Sequence, residues 1–390
     1  MREITPQDLE YLAIGAAILG TGGGGDPLIG KIMAQQAIEE EGPVTLLQVD
    51  ELADNALVLP TAMMGAPTVM IEKIPEGMEA VRALRTEERR LRRRADATSP
   101  IECGGVNSQI PFVTAARAHL PVVDGDGMGR AFPELQMETF HVYGISGTPA
   151  VVADERGAFV TVETPDNYQL EWIARGVTIR MGGHAMLVDY PMSGADFKRT
   201  AVRGTISMGI ALGQAVVGAR KAGVHPIEAV CAATRHTIYG QGIPLFEGKV
   251  VDVERRTRAG FAVGQAVMSG LGECRGSQFT VRFQNENLVA LRDGEIVASV
   301  PDLICLLDSE KATAVTTERL RYGQRITAVG IPTPEMMRTR EALDVWGPRA
   351  FGYDVDFVPL ELRFPSYYRK HGVPEEKMKY LTNNKSTLRG

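Results

Sequence analysis

Two aspartates separated by a glycine, in "PVVDGDGMGRAFPELQ" (residues 121–136), are the side chains best suited by type and spacing to do chemistry. A short apolar strand runs straight into Asp124-Gly125-Asp126-Gly127. In an open α/β sheet, ligands bind beyond the carboxyl ends of strands. Glycines 125, 127 and 129 let the backbone turn sharply and a substrate come close. Asp124 and Asp126 can then polarise a water or hold a divalent cation, a cofactor that the sequence neither identifies nor excludes. Arg130 and Glu134 follow within a turn or two, in reach of the same ligand. The competing reading is a tight turn whose aspartates cap the next helix. The gathering of acids at a strand end favours the catalytic one.

Three further stretches could contribute. "GTGGGGDP" (residues 20–27) offers the free backbone N–H groups of Thr21, Gly22, Gly23, Gly24 and Gly25 beside a helix N-terminus, an arrangement that suits an anionic substrate group or an oxyanion. No Gly-Lys-Ser/Thr follows, which excludes a Walker loop, and a helix rather than a strand precedes it, which excludes the dinucleotide fingerprint. A plain connector remains the equal alternative. "IECGGVNS" (residues 101–108) places Glu102 and Cys103 ahead of a helix. Without a matched histidine, Cys103 reads as a small buried hydrophobe, and Glu102 as the catalytic participant. "MMGAPTVMIEKIPEG" (residues 63–77) sets Glu72 and Lys73 near a turn, either lining the same crevice or forming an ion pair. No HxH or HExxH pair occurs, so no histidine-rich zinc site is legible. His184, flanked by glycines in "MGGHAML", is the histidine to watch for substrate contact, although a solitary histidine is more often structural. "RTEERRLRRR" reads as the solvated face of a helix.

The elements that must position these residues follow from periodicity. Thr5 as N-cap, Pro6 at the first helical position and Asp8 as the capping-box acid open a helix expected to end at Gly20, and Asp26-Pro27 opens a second. Strands and helices then alternate, from which we expect a mainly parallel sheet covered by helices, with a hairpin in "PAVVADERGAFVTVET". Two helical stretches rich in small residues, 197–223 and 225–240, suit close packing. Beyond Gly248, alternating β-branched runs broken by Asp-Gly and Gly turns indicate a small barrel or sandwich. "GPRAFGYDVDFVPLELR" reads as an apolar strand returning to the first domain, and the polar tail after Pro365 as loosely held.

The whole chain narrows the class. Its 390 residues, 44% apolar, call for two domains. A balance of 42 basic against 48 acidic residues, net charge −6, argues against nucleic acid and anionic membranes and toward a small-molecule substrate. Four cysteines without a CxxC pair, no N-terminal apolar signal and no apolar run near the roughly 20 residues that span a bilayer point to a cytoplasmic protein. A homo-oligomer stays open.

The motifs "LGTGGGGDP", "MGAPTVMIEKIP", "GGVNS", "VVDGDGMGRAFPEL" and "GPRAFGYDVDFVPLE" together resemble the S-methyl thiohydantoin desulfurase-like family, across nearly the whole chain. The resemblance implies a three-layer αβα N-terminal domain with a smaller C-terminal β-barrel-like domain, and hydrolysis of an S-methylated thiohydantoin to hydantoin and methanethiol. We therefore expect an αβα domain with the candidate site at 1–245, a β-rich domain at 246–335, a return strand at 336–365 and a tail at 366–390. The expected activity is hydrolysis of a small cyclic amide or thioamide by strand-end carboxylates. The alternative is a non-catalytic metabolite-binding or accessory subunit of a hydantoinase-type system.

Overall fold

Thr5 and Asp8 close a capping box at the start of the first helix: the Asp8 N–H donates to Thr5 Oγ1 (3.2 Å) and the Thr5 N–H donates to Asp8 Oδ2 (3.0 Å). The helix runs Pro6–Leu19, as the sequence implies. The computed structural model describes residues 1–66, 69, 73, 75–258 and 261–383. By internal contacts the chain forms two units, Met1–Ala16 with Gly24–Ile210, and Ala17–Gly23 with Ala211–Gly390.

The first unit is mixed α/β. Its strands are β1 (Arg2–Ile4), β2 (Val44–Leu47), β3 (Leu57–Val58), β4 (Thr61–Gly65), β5 (Val122–Val123), β6 (Gly125–Asp126), β7 (Ala150–Ala153), β8 (Phe159–Val162), β9 (His184–Val188), β10 (Met192–Ser193) and β11 (Val202–Arg203). They make a three-stranded sheet ordered β1-β2-β5, a four-stranded sheet ordered β4-β9-β7-β8, and two ribbons, β10-β3 and β11-β6. The expected mainly parallel sheet is not what forms. Among these named strands only β2 and β5 pair in parallel, and the four-stranded sheet is antiparallel throughout, with Met63 opposite Met186. A strand covered on both faces reads as a continuous apolar run whichever way its neighbour points, so the run carries no direction. The hairpin forms where expected, with Val151 opposite Thr161.

Helices Leu28–Glu41, Glu79–Leu91, Ile110–Ala118 and Asn167–Arg180 pack around these sheets. Small residues allow one very close helix contact: a Cβ on Gly15 would fall 1.8 Å from the carbonyl oxygen of Gly209, in the helix Thr205–Ala222. The shape of the site depends most on the β6–β11 ribbon, in which Asp126 pairs with Val202 and Gly125 with Arg203. It delivers the Asp-Gly-Asp turn to the start of that helix.

The second unit is a curled half-barrel of seven antiparallel strands: β12 (Ile243–Arg258), β13 (Phe261–Gly270), β14 (Gln278–Gln284), β15 (Glu286–Arg292), β16 (Glu295–Ser299), β17 (Leu303–Asp308) and β18 (Arg325–Ile331), ordered β16-β15-β14-β13-β12-β18-β17. Asp293 (φ 52°) and Gly294 (φ 88°) form the tight β15–β16 turn that the Asp-Gly signal requires. Phe246 and Phe279 stack at 5.0 Å inside the curl. Two features of this unit differ from expectation. No strand forms in 347–364: Pro348–Phe351 and Leu360–Arg363 are single helical turns, and Arg349 gathers Asp354 (2.6 Å) and Asp356 (2.8 Å) into a loop. The alternation of those aspartates with apolar residues imitates a strand's period of two. The chain after Pro365 is not loose through Asn383, because its helices Pro365–Lys370 and Glu375–Asn383 bury Tyr368 and Met378 in the half-barrel core. Among the described residues no helix is long and apolar enough to cross a membrane.

Candidate functional site

The Asp124-Gly125-Asp126 turn connects two distant segments of the first unit. Asp124 caps the helix that begins 81 residues later: its Oδ1 accepts from the N–H groups of Ile206 and Ser207 (3.0 Å each), and its Oδ2 accepts from Ser207 Oγ (2.5 Å) and Gln48 Nε2 (3.4 Å). Asp126 folds its own loop and holds the next. Oδ1 accepts from the N–H groups of Met128 (3.2 Å) and Gly129 (2.8 Å), while Oδ2 accepts from the Cys103 N–H (2.5 Å). Burial drives the Asp126 carboxyl up to about 7, against the pull of those three N–H groups.

Around Asp126 the fold collects further acids. Glu102, 6% exposed, accepts from Asn107 Nδ2 on Oε1 (2.9 Å). Asn107 in turn binds both the N–H and the carbonyl of Met63 on β4, which fixes its orientation. Glu138 lies across the turn, and a Cβ on Gly127 would fall 2.2 Å from Glu138 Oε2. That proximity, rather than flexibility alone, demands glycine at 127. Glu138 is fully buried, and its pKa is raised well above the usual carboxylate range by burial and by the nearby charges of Asp189, Asp126 and Glu102. Asp189, directly after β9, is also fully buried and raised by burial and by Glu87. Cys103 donates from Sγ to the Thr205 carbonyl (3.3 Å), and burial together with Asp126, Asp124 and Glu102 keeps it a thiol.

Glu102, Asp124 and Asp126 are therefore brought together, and the other expected residues make contacts of their own. Arg130 is fully buried, with its guanidinium 4.9 Å from the Phe132 ring centroid. Glu134 bonds Gln136 and lies near Glu171 and Arg175; burial raises its pKa. His184 meets the Lys73 carbonyl through Nε2 (2.5 Å), and Lys73 pairs with Glu155 (2.6 Å), so the ion pair that the sequence suggested for Lys73 has that partner. Glu72 lies outside the described residues.

The glycine loop divides between the two units. In the second, the carbonyl of Thr21 accepts from the Asn287 N–H (2.7 Å) and that of Gly22 from the Thr317 N–H (2.8 Å). A Cβ on Gly23 would fall 2.0 Å from Glu286 Oε1, so the anion against Gly23 is the chain's own. In the first, the Gly24 carbonyl accepts from the Val106 N–H (2.9 Å), and Gly24 (φ +71°) and Gly25 (φ +75°) take left-handed conformations that favour glycine.

Sequence reasoning missed Glu138, Asp189 and Glu87. Asp189 carried a usable signal, because it follows the apolar run "HAMLV" just as Asp124 follows "PVV". Glu138 and Glu87 carried none, since only tertiary contacts bury them. Among the described residues, no three His, Cys, Asp or Glu side chains are arranged to hold a metal ion.

A mixed α/β unit with internal carboxyl groups, continued by a half-barrel unit, defines a two-domain class. The chain belongs to the S-Me-THD-like family: residues 7–164 match its N-terminal domain and residues 165–360 its C-terminal domain. It is similar in fold to a protein from Chromobacterium violaceum solved by X-ray crystallography, with a TM-score of 0.74 and 25% identity over 92% of this chain and 100% of that one. No curated protein matches it.

Proposed function

We propose that the protein hydrolyses a small five-membered cyclic amide or thioamide of the hydantoin or S-methyl thiohydantoin type. Family membership supports the substrate class. The observation that carries the chemistry is Asp126, a fully buried carboxyl one hydrogen bond from the segment that holds Glu102, whose pKa burial pushes up to about 7. A group that titrates near neutrality can both take a proton from water and return it.

For the methylthio substrate, Asp126 as carboxylate takes a proton from the water whose oxygen bonds to the ring carbon bearing sulfur. Glu102 supplies a proton to the adjacent ring nitrogen. On collapse the C–S bond breaks, the new hydroxyl returns its proton to Glu102 as the carbonyl forms, and methanethiolate takes the proton held by Asp126. Water is consumed, methanethiol leaves, and both acids regain their starting states. Arg130, the guanidinium of the same loop, suits negative charge developing on the ring.

The second reading is a non-catalytic binder. It is favoured by the engagement of Asp124 Oδ1 and of both Asp126 oxygens with backbone N–H groups, and of Asp124 Oδ2 with the side chains of Ser207 and Gln48, which gives each aspartate a structural role. Purified protein offered a panel of hydantoins and S-methyl thiohydantoins separates the two: thiol release or ring opening supports the hydrolase, whereas saturable binding without turnover supports the binder.

A further inference from the structure

Behind Asp126 runs a file of acids that the reaction above does not use. Glu138, Asp189 and Glu87 are each fully buried, and among the described residues none of their six carboxyl oxygens accepts a hydrogen bond from another residue. Glu138 points at Gly127, the residue after Asp126. The rings of Phe140 and Tyr190 meet at 5.7 Å, which brings the segment of Glu138 beside that of Asp189. Glu87 lies on the helix Glu79–Leu91, which packs on β7 and on β9, the strand that ends one residue before Asp189. Among the described residues, the charged and titratable groups that act on the file are these. Asp126, Glu102 and Tyr190 lie near Glu138, and Arg90 and Glu163, themselves an ion pair, lie near Glu87. Among the described residues, Arg90 is the cation that acts on Glu87, and it stands at the outer, exposed end.

An ionised carboxylate buried without a donor or a cation is strongly disfavoured, and two neighbouring ones more so. A protonated carboxyl escapes this, because it becomes a donor and can bond to the acid beside it. We propose that Glu138 and Asp189 form a hydrogen-bonded carboxyl pair that keeps at least one proton at neutral pH, and that this pair is the internal proton reserve behind Asp126. Glu138 is thus a positioning residue that acts through Asp126, and this role rests on the hydrolase reading. The pair itself does not.

The pH dependence has a definite sign. In the unfolded chain both acids ionise near pH 4, whereas in the folded protein they keep protons well above it. The folded state therefore binds more protons, and stability is lost as pH rises from about 4 through the folded-state pKa.

The test uses the full chain, the variants Glu138→Gln and Asp189→Asn, infrared difference spectra at neutral pH and thermal melts across pH. The expected result is a protonated-carboxyl band in wild type that shifts in D2O and is lost or altered in each variant. Glu138→Gln should melt with wild type near pH 4 and several degrees above it near pH 8, since Gln carries no charge to suppress. Should Glu138→Gln fail to fold, Asp189→Asn gives the same two readouts. Absence of the band, or melting points lowered equally at every pH, overturns the pair. A wild-type melt lowered by chelator and restored by Mg2+ or Zn2+ also overturns it and assigns a cation instead. If band and melts behave as expected while no substrate releases thiol, the hydrolase reading fails alone.

Discussion

Each unit of this protein buries charge, and the two do so in opposite ways. In the second unit, Arg338 is enclosed with Asp302 and Glu361: its guanidinium donates to Asp302 Oδ1 (2.9 Å) and to both Glu361 oxygens (3.1 and 3.2 Å), and Nε donates to Thr333 Oγ1 (3.2 Å). Asp302 also accepts from the N–H groups of Thr333 (2.9 Å) and Leu360 (2.8 Å). Burial works against the guanidinium charge, but attraction to Asp302 and Glu361 overcomes it and holds the Arg338 pKa above its ordinary value. In the first unit, Glu138 and Asp189 are buried among other acids, Asp126, Glu102 and Glu87, and no cation of the described residues stands against them as Arg338 does against its partners. Matched charge fixes three loops of the chain in place; unmatched acid is left to hold protons. The difference separates a structural use of buried charge from one available for chemistry.

The sharpest break in this comparison is at Arg338. Arg338→Met leaves Asp302 and Glu361 buried without their cation, and we expect a loss of about 3–5 kcal/mol in denaturant unfolding. A loss below about 1 kcal/mol would mean that the network is not the clamp described here. In the first unit the largest effect should be on rate. Asp126→Asn keeps the side-chain shape and one oxygen acceptor for Met128 and Gly129 but sets an amide NH2 against the Cys103 N–H, so unfolding should cost about 1–3 kcal/mol less than in wild type with the fold retained, while turnover falls by roughly a hundredfold or more. Near-normal turnover would leave the Asp-Gly-Asp turn as architecture. The smallest effect is expected at Cys103: Cys103→Ser preserves a donor to the Thr205 carbonyl, and turnover should change by less than about tenfold, because burial and the neighbouring acids hold the side chain as a thiol. Complete loss with intact folding would make covalent catalysis the leading mechanism.

What the sequence disclosed was local. The Thr5–Asp8 capping box, the 150–162 hairpin and the Asp293-Gly294 turn all depend on residue types and short spacings. What it hid was long-range. β4 finds β9 more than a hundred residues later and runs against it, and an apolar run gives no hint of that. Glu87 sits on a helix whose neighbouring residues are mostly arginine and glutamate, so its burial against β7 and β9 cannot be read from composition. The glycine loop was half legible. Its left-handed glycines are required, but the partners that press on it, Glu286 and Asn287 in one unit and Gly104 in the other, come from far along the chain.

The central claim is that Asp126 works as a carboxyl titrating near neutrality, and the pH profile of thiol release from an S-methyl thiohydantoin tests it most directly. As pH rises, the burial-raised Asp126 becomes the carboxylate that accepts the proton of water, so kcat/KM should climb through an apparent pKa of about 7 in wild type. In Asp126→Asn that inflection should vanish. An unchanged inflection in the variant, or no thiol release by wild type at any pH, would contradict the account.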